Sequence, residues 1–221
     1  MRYKIHIFIA MLISSIFAQS EISLKSVLDG TFSTESIGRY TWKNSTDSYY
    51  FSTKSDSGLD FYNYNLASND TTKAFSIPKT LIDNFSYSFS PNQKKLLLKK
   101  NSVKLWRHSS FGTYYIYDIE SSSLTSVTSN PDSLRNVKFS PDSENIAFVR
   151  NDNNLYLFSS ATNLEEQLTF DGSDDILNGH FGWVYEEEFG TYDSYKWSPN
   201  SKHIAFIRED QTYVKKYPLV D

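Results

Sequence analysis

A twelve-residue pattern recurs along this chain and limits its fold more than any other feature. Phe89–Lys100, Phe139–Arg150 and Trp197–Arg208 each begin with an aromatic residue and Ser-Pro, continue through Asn or Asp and a polar stretch, and end in an apolar run. Trp42 opens a degenerate earlier copy. Pro91, Pro141 and Pro199 pre-set φ for the second position of a turn, and the Asn92, Asp142 and Asn200 that follow are favoured turn residues. Each copy therefore reads as a hairpin in which the aromatic ends one strand and the apolar run begins the next. A second strand pair follows each hairpin, as in Tyr114–Asp118 with Leu124–Val127, or Asn154–Phe158 with Glu166–Phe170. Four strands per period is the pattern of a β-propeller blade.

The aromatic anchors Trp42, Phe89, Phe139 and Trp197 are separated by 47, 50 and 58 residues, close to the roughly 40–50 residues of one blade. The expected fold is all-β: an incomplete β-propeller of about four blades, where closed rings use about four to eight. Sequence alone predicts a fragment whose last blade leaves strand edges unpaired. The final interval is eight residues longer than the one before it, and the excess falls around Asp174–Thr191. Insertions between repeats map to loops on one face, often the binding face.

The N-terminus supplies a compartment. Met1–His6 is basic and Ile7–Phe17 is an apolar run of 11 residues ending near Ala18, shorter than the ~20 residues a spanning helix needs. Residues 1–18 are expected to be a cleaved secretory signal, with an uncleaved membrane anchor as the alternative, leaving 19–221 as the partial propeller. An exported chain with no cysteine depends on burial rather than disulfides, which suits a bacterial periplasm. The net charge of −4 comes without a dense basic tract, so there is no electrostatic footprint for nucleic acid.

Within the long interval, Glu186, Glu187 and Glu188 follow Trp183-Val184-Tyr185 and precede Phe189. Like charges this close repel, and apolar neighbours raise the cost of ionising them, so the run suits reception of a cation such as an ammonium group. A solvated acidic turn with its aromatics in the core is the competing reading.

These residues carry a resemblance. Asn178-Gly179, then Trp183–Phe189, then Tyr192–Phe206 resembles the double-glutamate segment of the dipeptidyl peptidase IV family of serine exopeptidases. Gly182 departs from the family, which usually has Asp there, and is expected to loosen the segment. Trp106-Arg107-His108-Ser109 followed by Tyr114–Asp118 is similar to the family's segment that carries a substrate-contacting arginine. The resemblance implies an eight-bladed propeller, of which about half is present, and a hydrolase domain C-terminal to it. It implies that Glu187 and Glu188 hold the free N-terminal ammonium of a peptide and that Arg107 binds the carbonyl of its second residue. It further implies release of N-terminal dipeptides through a serine acyl-enzyme, with full-length members forming homodimers. The sequence itself has no Gly-x-Ser-x-Gly elbow, and His6, His108, His180 and His203 suggest no triad. No catalytic residue, cofactor or metal ligand is therefore assigned. A stand-alone periplasmic propeller that binds without cleaving, or a catalytically dead scaffold, remain the rival readings.

Overall fold

The computed structural model describes residues 22–33, 38–128 and 133–217, so the expected signal at 1–18 lies outside the described residues. The chain forms two compact units, Met1–Gly38 and Arg39–Asp221. Among its described residues the first unit has one helix, α1 (Leu24–Leu28), opened by a reciprocal capping box between Ser23 and Ser26 and burying no side chain.

The second unit is built from antiparallel sheets that succeed one another along the chain. The first contains β1 (Tyr40–Trp42), β2 (Ser48–Ser55), β3 (Gly58–Asn65) and β4 (Asp70–Pro78). The second contains β5 (Ser86–Phe89), β6 (Lys95–Lys104), β7 (Ser110–Asp118) and β8 (Ser123–Ser126). The third contains β9 (Arg135–Phe139), β10 (Asn145–Val149), β11 (Leu155–Ser159) and β12 (Leu164–Gln167). Each is a four-stranded meander, and Trp42, Phe89 and Phe139 are the last residues of β1, β5 and β9.

The recurring Ser-Pro turn has a full hydrogen-bond explanation. The carbonyls of Ser90, Ser140 and Ser198 accept from the N–H groups of Gln93, Ser143 and Ser201 at 2.8, 2.9 and 2.9 Å. Those three residues take positive φ, between 59° and 68°. The serine hydroxyls then accept from the N–H groups of Lys95, Asn145 and His203 at 3.0, 2.9 and 2.9 Å, closing each hairpin. Neighbouring turns are also linked. The N–H of Asn44 donates to Gln93 Oε1 at 3.0 Å, that of Asn92 to Ser143 Oγ at 3.0 Å, and that of Asp142 to Ser201 Oγ at 2.9 Å.

Sheet-to-sheet packing follows the two-residue period of a strand. On β6, Leu96 and Leu98 join Phe61, Ile77 and Tyr117 between the first two sheets, while Leu97 points the other way, toward Ile146 and Phe148. On β10, Ala147 and Val149 turn to the next interface, with Leu155 and Tyr195. Strands covered on both faces read as continuous apolar runs, which is why Leu96–Leu98 and Ile146–Val149 show no alternation. On the first sheet, Tyr40, Trp42, Tyr49, Phe51, Tyr62 and Tyr64 form a half-exposed slab of rings with centroids 5.2–6.3 Å apart.

Two sequence expectations need correction. The last strand of the third sheet is Leu164–Gln167 rather than Glu166–Phe170, because the chain reverses tightly at Asn163, with φ of 54°. Thr169 Oγ1 instead accepts from the N–H of Leu155 at 2.9 Å. The long interval, moreover, does not lie between repeats but interrupts a strand. Strands β13 (Ile176–Asn178) and β14 (Tyr195–Trp197) both pair with the same returning segment, β15 (Ile204–Phe206) and β16 (Arg208–Asp210). Residues 180–193 leave this ladder and rejoin it, with Gly179 N–H donating to Ile207 O and Ile207 N–H to Ser194 O on either side of the gap.

Candidate functional site

The excursion is closed at its neck by a bridge between His180 and Asp193 and by Phe181 N–H donating to Tyr192 O at 3.2 Å. Strand β9 holds it from one side. Asn136 Nδ2 donates to the carbonyls of Gly179 and Tyr192, both at 3.2 Å, and Lys138 Nζ lies 2.8 and 2.7 Å from the two Asp193 oxygens.

Between the two limbs the chain forms helix α2, Trp183–Phe189, where sequence alone allowed only a loop or turn. Glycines bracket it. Gly190 ends the helix in the left-handed conformation, φ 63°, and its N–H donates to Glu186 O at 3.1 Å. Phe181, Tyr185 and Phe189, four residues apart, pack in series: Phe181 stacks on Tyr185 with centroids 4.5 Å apart, and Phe189 lies tilted against Tyr185 at 5.7 Å. Gly182 does not loosen the start. It is buried, its N–H donates to Glu209 Oε2 at 2.9 Å, and Gln211 Nε2 donates to Glu209 Oε1 at 2.6 Å. A Cβ on Gly182 would lie 2.2 Å from Gln211 Nε2, so β16 and the residue after it fill the place of a capping side chain and supply a carboxylate.

A helix turns about 100° per residue, so it sends three consecutive carboxylates in different directions and relieves their repulsion. Glu186 is 1% exposed and Oε1 accepts from the N–H groups of His108 and, at 2.8 Å, Ser109. Burial pushes its carboxyl pKa up, but the hydrogen bonds from Ser109 and His108 outweigh this and hold it below the usual value. Glu187 is half-buried, and its Oε2 lies 2.9 Å from Arg107 Nε. Glu188 is exposed and makes no hydrogen bond or ion pair among the described residues.

Arg107 sits at the tip of the long β6–β7 hairpin, where Leu105 N–H donates to Ser109 O at 3.0 Å. The structure thus brings Arg107 to Glu187 across 80 positions of sequence. With the Arg107 side chain 67% exposed, the pair itself contributes only about 0–1 kcal/mol. Its position is fixed by Glu186, which fastens the helix to the two residues after Arg107. The assignment of Glu187, Glu188 and Arg107 passes over this residue.

Beneath α2 lies a second buried group. Arg135, 5% exposed, hydrogen-bonds Asn153 Oδ1 and His180 Nε2, the latter at 2.6 Å, and its guanidinium is 5.0 Å from the Phe111 ring centre. Burial lowers its pKa to about 10, an effect that the negative charge of Glu186 partly offsets. Burial and Arg135 together lower His180 to about 3, so its ring is neutral. With Nε2 accepting from Arg135, Nδ1 carries the proton and donates to Phe181 O at 3.1 Å. Sequence reading did not place Arg135 in the site, because only the fold brings β9 beneath the helix. Among the described residues no group of three His, Asp or Glu side chains is placed to hold a metal ion.

Consecutive four-stranded antiparallel sheets, followed by a strand into which an acidic helix is inserted, define a β-propeller architecture. Residues 90–221 match the profile of the family described as "Dipeptidyl peptidase IV (DPP IV) N-terminal region", and the chain belongs to that family. Dipeptidyl aminopeptidase B of Saccharomyces cerevisiae is 39% identical over 134 residues, which are 60% of this chain and 16% of that protein. Dipeptidyl peptidase 4 of Trichophyton tonsurans is 35% identical over 182 residues, 80% of this chain and 23% of that protein. The crystal structure of Porphyromonas gingivalis dipeptidyl peptidase 4 superposes with a TM-score of 0.76 at 29% identity, covering 90% of this chain and 29% of that one. The chain therefore spans less than a quarter of the length of these two curated relatives.

Proposed function

We propose that this region is the substrate-recognition part of a dipeptidyl peptidase. In this reading Glu187 and Glu188 receive the free N-terminal ammonium of a peptide, and Arg107 meets the carbonyl of its second residue. The observation that carries it is the Arg107–Glu187 contact, 2.9 Å, at the end of a helix that buried Glu186 holds in place. A weak, solvent-facing ion pair is readily exchanged for a ligand that offers both an ammonium and a carbonyl. When the ammonium takes the carboxylates, the guanidinium is released to donate to the carbonyl oxygen. Such a site counts residues from the free amine, in keeping with the removal of dipeptides.

The test is peptide binding to the 221-residue chain, followed by saturation-transfer NMR with an Ala-Pro peptide carrying a free amine and with its N-acetyl form. Only the free amine should bind saturably. Glu187→Gln and Glu188→Gln should each weaken it by about tenfold or more, the scale of a lost charge-assisted hydrogen bond. Equal binding of the acetylated peptide would remove the ammonium role and return the run to a structural acidic helix.

A further inference from the structure

Beside the Arg107 hairpin lies a cavity of about 210 Å³ that the reading above does not use. It is bounded by Lys99 and Tyr114 from β6 and β7, Lys138 from β9, and Tyr192 and Asp193 from the return limb of the excursion. Its polar groups are unevenly matched. Asp193 is already engaged, with both oxygens on Lys138 Nζ and a further contact of 3.5 Å to Lys196. Lys99 has no such partner. Its Nζ donates to Ser110, at 2.5 Å to Oγ and 3.3 Å to the carbonyl, and lies 5.7 Å from the Tyr114 ring centre, and no carboxylate pairs with it among the described residues. An ammonium has three N–H groups, so one remains for the cavity.

The phenols of Tyr114 and Tyr192 make no hydrogen bond among the described residues, and burial, with a smaller contribution from the neighbouring Tyr192, pushes the Tyr114 pKa up. Burial lowers the Lys99 pKa, as expected of a cation desolvated without a counter-ion. The placement of Lys99 is built in. Its stem lies across Gly112, where a Cβ would stand 2.6 Å from Lys99 Cε and 2.9 Å from Cγ.

One ammonium without a carboxylate partner and two phenols without hydrogen-bond partners among the described residues thus line one space whose own carboxylate is taken. We infer that this cavity is a carboxylate-binding site, with Lys99 as its cation and Tyr114 and Tyr192 as its neutral donors. The carboxylate belongs either to a small free diacid or to an acidic side chain of a peptide held nearby.

Glutarate, which has no amine, separates this site from the Glu187 reading. Calorimetric titration of glutarate into the 221-residue chain at neutral pH and low salt should give saturable binding, and dimethyl glutarate should give none. Lys99→Met, which keeps the stem, should weaken binding by about tenfold or more. Gly112→Ala, which displaces the stem while keeping the charge, should weaken it too, and Tyr114→Phe should do so by a few-fold. Wild-type affinity in Lys99→Met, equal binding of the ester, or no saturable binding of glutarate would each overturn the inference. A Glu-Pro peptide is then compared with Gln-Pro. A gain for Glu-Pro that disappears in Lys99→Met assigns the carboxylate to the peptide; glutarate binding without that gain assigns it to a free acid. Loss of amine dependence with glutarate binding intact would remove the Glu187 reading alone.

Discussion

His180 cannot take a proton in the fold without placing a second cation against the Arg135 guanidinium 2.6 Å away. The unfolded chain has no such restriction and binds a proton below the ordinary value of 6.5, while the folded ring stays neutral to about 3. The unfolded state therefore holds more protons in that window. Stability should be fully present above 6.5 and fall with decreasing pH by up to about 1.4 kcal/mol per unit. Thermal melts between neutral pH and about pH 5 isolate this effect, because Glu186, whose pKa is held below its ordinary 4.5, loses its contribution only at lower pH. His180→Gln should flatten the slope; an unchanged slope would clear His180 of the effect. At this scale the sequence was only partly legible. Glu187 and Arg107 lie in recognisable motifs, but three identical letters in a row carry no sign of which carboxylate goes inward. The missing information was helical phase, hinted at by the Gly182 and Gly190 brackets and by Phe181, Tyr185 and Phe189 at four-residue spacing.

Helix α2 depends on what β16 places at its start. Asp at position 182, the residue usual in the family, would here drive a Cβ to 2.2 Å from Gln211 Nε2 and 3.3 Å from Glu209 Oε1, setting one carboxylate against another. These are the ends of flexible side chains that can swing aside, so the cost of Gly182→Asp is mainly the repulsion between the two carboxylates, about 0.5–1 kcal/mol, and adding Glu209→Gln should recover part of the loss. Thermal melts check this, and a higher Tm for Gly182→Asp alone would sink it. The blades were legible because each Ser-Pro turn is fixed by local hydrogen bonds that need only nearby residues. The excursion was legible as extra length but not as an interrupted strand. Ile176–Asn178 and Tyr195–Trp197 are three residues each, and only their shared partner, 204–210, reveals them as one ladder. The shift of β12 was hidden for a similar reason, since the reversal depends on Asn163 adopting a left-handed conformation.

Across the second unit, apolar burial is divided among three interfaces, each between neighbouring sheets. Amides of β6 and β10, covered on both faces, should exchange slowest with deuterium, and those of β1, which carries the half-exposed Tyr40 and Trp42, much faster. Hydrogen exchange followed by mass spectrometry would show this gradient, and uniform protection across β1, β6 and β10 would contradict it. The turn-to-turn bonds from Asn44 to Gln93, Asn92 to Ser143 and Asp142 to Ser201 give the gradient a direction. Each bond ties one sheet only to the next, so cooperativity here is a nearest-neighbour quantity, as in a one-dimensional lattice. Losing one link weakens that coupling by about 0.5–1.5 kcal/mol while the apolar interface persists, so Ser143→Ala should lower the Tm and broaden the unfolding transition.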